Sequence, residues 1–152
     1  MRAAKVYSEL SYCTRLKVGA ILVKEDRVIS IGYNGMPAGE PNICELSDGT
    51  TDPRVRHAEI NALKKLTRSQ ESSIGSVLFI TDSPCAMCAL EISEAKVAAV
   101  VFERPYRDTS GIKFLMGNGV AVFRVDSENN RILEYCNYDG NEYPVIDEYI
   151  SF

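Results

Sequence analysis

Apolar and polar residues alternate along this chain in blocks that set out its elements. Ala3, Val6, Tyr7 and Leu10 fall on one face at helical spacing, which predicts a short amphipathic helix over 2–12. A basic loop, 11–17, follows. Residues 18–23 are almost wholly apolar and read as a buried strand. Lys24, Glu25 and Asp26 make a polar turn, and 27–33 return as a second strand, giving an antiparallel hairpin. Residues 34–39, Asn-Gly-Met-Pro-Ala-Gly, break regular structure and permit close backbone approach to a ligand. The polar run continues to about 53, a length that marks a binding loop or lid. Thr51, Asp52 and Pro53 are helix-start signals for a second helix over 55–67, with Val55, Ile60, Leu63 and Leu66 turned to the core. A central strand over 76–81, a helix over 85–95 and a strand over 97–102 imply a parallel pair with the helix as crossover. Residues 103–108 form a charged, aromatic loop at the end of that strand, where open α/β sheets meet their ligands. A short helix over 109–116, closed by Gly117-Asn118-Gly119, precedes a fifth strand over 120–125. The tail, 126–152, fits either a small hairpin or a partner-binding extension.

The pattern is an α/β domain, and 152 residues suffice for one proper core. No internal repeat, low-complexity stretch or linker divides 1–152. A net charge of −4 argues against a nucleic-acid duplex or an anionic membrane as partner. No apolar run is long enough for a bilayer, and residues 1–5 lack the apolar core of a signal peptide. A cytoplasmic location is expected. Five cysteines, two of them in Cys85-x-x-Cys88, fit a reducing compartment and metal binding better than a disulfide framework. Cys13, Cys44 and Cys136 read as plain thiols.

The strongest chemistry lies in His57-Ala58-Glu59 and Pro84-Cys85-Ala86-Met87-Cys88. One imidazole and two thiolates supply three zinc ligands and leave the fourth tetrahedral position open, the layout of a catalytic site. Glu59 is placed to act as proton shuttle. On a helix, residues two apart point about 200° apart, so His57 and Glu59 can reach one ion only from the helix end. Cys85 and Cys88 share a face, and a helix N-terminus favours their thiolates.

Together with Gly32-Tyr33-Asn34-Gly35-Met36-Pro37-Ala38-Gly39 and the segment 15–23, these motifs resemble the cytidine deaminase superfamily, and within it the deoxycytidylate (dCMP) deaminases. The likeness covers roughly 1–125. It implies a three-layer α/β/α fold: a five-stranded mixed sheet, helices on both faces and zinc between two helix N-termini. It implies one zinc per chain held by His57, Cys85 and Cys88, because a second, structural zinc needs another histidine and His57 stands alone. It implies hydrolysis of dCMP to dUMP, the precursor for dTMP synthesis, with Glu59 carrying a water proton to N3 and then to the leaving ammonia. Asn34 is then a candidate for a sugar contact and Ala58 for a substrate contact. Arg15, Lys17, Arg104 and Arg107 are candidates for the 5′-phosphate, and Tyr106 for packing beside the nucleotide. Gly32, Tyr33, Asn34, Gly35, Pro37 and Gly39 match a loop tied to activation by dCTP and inhibition by dTTP. Mg2+ would accompany such a triphosphate. Relatives are often homo-oligomers, many of them hexamers.

Other readings stand beside these. Each of the four basic residues could be a solvated surface charge, Asn34-Gly35 an ordinary turn, and Cys85-x-x-Cys88 a redox pair. Free cytidine or adenosine in tRNA are rival substrates, since Pro-Cys-x-Met-Cys also occurs in tRNA deaminases. A non-catalytic nucleotide sensor is a rival of another class. Glu59 speaks against it, because a structural zinc needs no proton shuttle.

Overall fold

The expected hairpin forms from β1 (Gly19–Lys24) and β2 (Arg27–Tyr33), paired antiparallel. Glu25 and Asp26 both take positive φ, at 49° and 58°, the paired left-handed geometry that matches the twist of a tight hairpin. The structure is a computed structural model and describes residues 1–127, 131–135 and 142–144. Inside it, β1 also pairs antiparallel with β3 (Val77–Asp82), which pairs in parallel with β4 (Ala99–Arg104), and β4 in parallel with β5 (Ala121–Asp126). Each of the five expected strands is present, and the sheet is mixed. It is also longer than expected. β6 (Arg131–Tyr135) and β7 (Glu142–Pro144) add antiparallel to its edge, giving seven strands in the order β2-β1-β3-β4-β5-β6-β7. The undecided tail thus contributes sheet. The rest of it, Cys136 included, lies outside the described residues.

Side-chain alternation splits the sheet into two faces. Ala20, Leu22, Leu78, Ile80, Val100, Phe102 and Val122 project from one face into the main core. There they meet α2 (Ala58–Leu66), α3 (Ala86–Glu94) and α4 (Ser110–Gly117), through Ala62, Ala89, Ile92 and Leu115 among others. α1 (Arg2–Ser8) packs on the opposite face, where Gly19 lets Ala4 sit directly against β1. Helices therefore cover both faces, three against one. α1 stops four residues short of the expected end, because 9–11 tighten into turns bonded back to Val6, Tyr7 and Ser8.

Two details of this frame place the chemistry. Gly32 lies under the first turn of α2. A Cβ there would lie 2.6 Å from the Ala62 nitrogen and run into the Ala58 carbonyl, so only glycine allows α2 to rest on β2. Gly111, at the start of α4, does the same for the turn before α3: its Cβ would meet the Pro84 carbonyl and lie 2.9 Å from the Cys85 backbone. The N-termini of α2 and α3 are thereby seated by backbone contact.

Candidate active site

His57 is the N-cap of α2 and Cys85 the N-cap of α3, both with extended backbone before the helix begins. The two helix starts face one another. His57 Nδ1 lies 3.7 Å from Cys85 Sγ and 3.2 Å from Cys88 Sγ, and all three donor atoms fall within 4.8 Å of one another. Tetrahedral zinc with ordinary Zn–N and Zn–S bonds needs edges of about 3.6–3.8 Å; the His57–Cys85 separation matches this, the His57–Cys88 one is shorter, and the donor types are those zinc takes. The sequence placed the ion at a helix end. The donors gather there because His57 precedes the first helical residue and so escapes the angular conflict with Glu59.

Hydrogen bonds from Cys88 and His57 hold the Cys85 thiol down to about 3, the thiolate a metal requires. The partner thiol of Cys88 is pushed up, chiefly by its bond to that thiolate and by burial. The Cys85 contact also raises His57.

Glu59, in the first turn of α2, is only 4% exposed. Burial pushes its carboxyl up to about 7, the range in which one group can take and return a proton at neutral pH. Glu59, Ala58, His57 and Cys85 line one cavity of about 360 Å³. This is the scale of a small-molecule site.

Of the expected substrate residues, Arg15, Asn34 and Tyr106 also line that cavity. The Asn34 amide is engaged by the neighbouring loop: its oxygen accepts the Val18 N–H and its nitrogen donates to the Leu16 carbonyl, both at 2.8 Å. Tyr106 is brought in by its own N–H, which donates to Ser83 Oγ at 2.7 Å. Lys17 and Arg104 belong instead to an adjoining cavity of about 530 Å³ that shares Arg15. Arg104 is locked onto Asp82, with two bonds of 3.0 and 2.8 Å. The parallel register of β3 and β4 sets these residues side by side. Arg107 is exposed, its guanidinium 5.8 Å from the Tyr106 ring. Tyr33, Asn34, Gly35, Pro37 and Gly39 line a third cavity of about 800 Å³, together with Arg56, Lys64, Lys65 and Arg68. Gly32 does not share it; its place is beneath α2.

Sequence reasoning missed several residues of the zinc cavity, among them Glu45, Thr51, Asp82 and Ser83. The last two flank Pro84-Cys85 and could have been found by proximity to the motif. Glu45 could not, since its partners Thr14 and Arg15 lie some thirty residues away. One expectation is corrected. Cys13 and Cys44 are not plain thiols: they form a disulfide, with Cα atoms 5.1 Å apart and both residues buried. The fold brings two loops together here, and a separation of 31 residues leaves no local trace of the pairing.

Comparison with known proteins follows the same lines. Deoxycytidylate deaminase of Enterobacteria phage T4 is 29% identical, the match covering 90% of this chain and 93% of that protein. Deoxycytidylate deaminase of Mycobacterium phage D29 is 36% identical over 66% of this chain and 88% of its own. The crystal structure of dCMP deaminase from cyanophage S-TIM5, in complex with dCMP and dUMP, superposes with a TM-score of 0.80 at 47% identity, over 81% of this chain and 91% of that one. The family model for the cytidine and deoxycytidylate deaminase zinc-binding region matches residues 1–104, which carry every zinc donor and Glu59, and the chain belongs to that family.

Proposed function

We propose that the protein, acting as a single deaminase domain over 1–152, converts dCMP and water to dUMP and ammonia. The observation that carries this reading is the buried Glu59 carboxylate in the same cavity as His57 and Cys85, two donors of the His57, Cys85 and Cys88 cluster, with Arg15 also in the lining. His57, Cys85 and Cys88 would hold zinc, which would lower the pKa of a water at its open position towards neutrality. Glu59 then does the proton work: its carboxylate takes the water's first proton and delivers it to N3 as the oxygen bonds to C4, then takes the proton of the resulting C4 hydroxyl and gives it to the departing amino group, leaving C4=O and ammonia. Ala58, fully buried at the helix start, shapes the floor beside the base. Arg15 is the cation assigned to the 5′-phosphate, since Lys17, Arg104 and Arg107 do not line the zinc cavity. The cytoplasm, where dCMP is met, is the proposed location; among the described residues no helix is long and apolar enough to cross a membrane.

The third cavity is the proposed seat of a triphosphate effector, dCTP or dTTP with Mg2+. Four cationic side chains around a glycine-rich loop suit a polyanion. Homo-oligomer formation belongs to the same reading, supported by Met87 and Leu90, apolar, exposed and three apart on α3.

The test is ammonia release and the ultraviolet change from cytosine to uracil, with dCMP, CMP, deoxycytidine and dCTP offered in parallel. Preference for dCMP supports the reading. Equal turnover of deoxycytidine removes the phosphate contact, and no turnover by protein holding one zinc removes the activity.

A further inference from the structure

Arg15 lies in a stretch, 9–18, that has neither helix nor strand, yet that stretch is tied from two sides. From one side, Ser11 Oγ donates to the Asn34 carbonyl at 2.8 Å, and the Asn34 amide takes Val18 and Leu16. From the other side come Cys44 and Glu45. Cys44 is bonded to Cys13 through the disulfide. A single oxygen of Glu45 accepts the next two N–H groups, Thr14 at 2.9 Å and Arg15 at 3.1 Å. The Arg15 guanidinium then reaches Thr51 Oγ at 3.3 Å, and Thr51 is bridged to Glu45 through the backbone. Two neighbouring residues thus grip three consecutive ones, ending at the cation of the zinc cavity. The two backbone bonds hold Glu45 below the usual carboxylate range, as expected for an anion in a nest of amides.

We infer that the Cys13–Cys44 bridge and Glu45 form one clamp that positions Arg15 for the substrate's 5′-phosphate, so that phosphate affinity depends on the redox state of the bridge. This rests on the assignment of the phosphate to Arg15. With the clamp closed, the backbone that carries Arg15 is ordered before substrate arrives, and binding is spared that cost. Reduction breaks the S–S bond, two electrons and two protons giving two thiols, and leaves Glu45 with only exposed hydrogen bonds, each of modest worth in water. The zinc site makes such reduction relevant. Cys85 and Cys88 must remain thiolates, so the protein works where dithiol reductants act, and a disulfide there is poised for exchange. Both bridge cysteines are buried, so exchange requires the loop to open. By linkage, a phosphate bound at Arg15 lowers the population of the open loop from which exchange proceeds.

The test uses the zinc-loaded full chain. Alkylation in denaturant with a chelator should leave two of the five cysteines unlabelled until a reductant is added; labelling of all five overturns the bridge. KM and kcat are then measured for dCMP and deoxycytidine before and after a phosphine reductant, with zinc content followed. Here a phosphine and one water become the phosphine oxide, and two hydrogens go to the sulfurs. The KM for dCMP should rise roughly tenfold, the scale of one charge-assisted hydrogen bond, with little change in kcat or in deoxycytidine turnover. Glu45→Ala should do the same with the bridge intact, and Glu45→Gln, which keeps an acceptor oxygen, should recover most of the loss. The Cys13→Ser/Cys44→Ser protein should match the reduced one. Should that variant fold poorly, the reduced wild type and Glu45→Ala carry the test. Saturating dCMP should slow reduction of the bridge and deoxycytidine should not. Arg15→Gln is the reference. If it raises KM for dCMP while reduction and Glu45→Ala do not, the clamp is wrong and the phosphate assignment stands. If Arg15→Gln changes nothing, both fall. Equal loss of kcat on both substrates would mark a merely structural bridge and overturn the inference.

Discussion

Glu59 shows how much one side chain's setting decides. A carboxylate in water is fully ionised at neutral pH and returns protons poorly. Held at 4% exposure in the first turn of α2, this one is pushed up to about 7, and a dication bound beside it would draw it down again. Its place follows from two short-range facts: His57 caps the helix, and Glu59 stands two residues further on. Glu59→Gln keeps the shape and removes the proton site. The expected result is a fall in kcat of about 10²–10⁴, the usual worth of a general acid–base group, with zinc content unchanged. Metal analysis alongside steady-state kinetics checks this, and wild-type turnover by the variant would sink the proton-shuttle role. His57→Ala should act differently, by removing one of three donors and lowering zinc occupancy itself.

At the scale of elements, the zinc cluster is a meeting of two helix starts, and glycines set the meeting distance. Gly32 is the sharper case. The groups that a Cβ would strike are backbone atoms of Ala58 and Ala62, which cannot rotate away as a side chain would. Gly32→Ala should push α2 off β2, with a cost of about 1–3 kcal/mol, typical of overpacking, and weaken zinc binding because His57 moves with the helix. Urea unfolding and zinc titration of the same variant measure both effects; a stable variant with lowered zinc affinity would place all the strain at the helix start. What the sequence disclosed at this scale depended on range. Apolar blocks gave the five core strands and four helices, since each block is its own signal. The zinc motif was legible because each half is a local helix start. β6 and β7 were legible only as one of two alternatives for the tail, because that segment becomes strand only through pairing with β5 and then with each other. The Asp82–Arg104 lock depends on parallel register, and the Cys13–Cys44 bridge on two loops meeting. Neither leaves a pattern in nearby residues.

The whole molecule divides into a sheet core held by apolar contacts and a functional rim held by carboxylates, and acid should separate the two. Arg15's backbone N–H holds Glu45 low, the Thr50 hydroxyl Asp48, and the Arg54 guanidinium Asp52. All three lie in the loop between β2 and α2, which borders the zinc cavity. At the far side of the rim, Asp108 is held low by the Ser110 N–H. Each of these groups has a folded pKa below its unfolded one. Its contribution is therefore complete above the ordinary carboxylate value of about 4 and is lost as pH falls through the lowered folded value. The residues of the main core, from Ala20 to Val122, carry no such dependence except Cys88, which belongs to the zinc site. Zinc affinity falls in the same direction, because its ligands must shed protons to bind. Acidification below about pH 4 should therefore loosen the rim and release zinc before the sheet unfolds. Hydrogen exchange should quicken first in 40–56 and at the helix starts, while amides of β3 and β4 stay protected and far-ultraviolet dichroism holds. A single cooperative transition, with rim, metal and sheet lost together, would show instead that zinc and the loops it anchors are integral to the stability of the core.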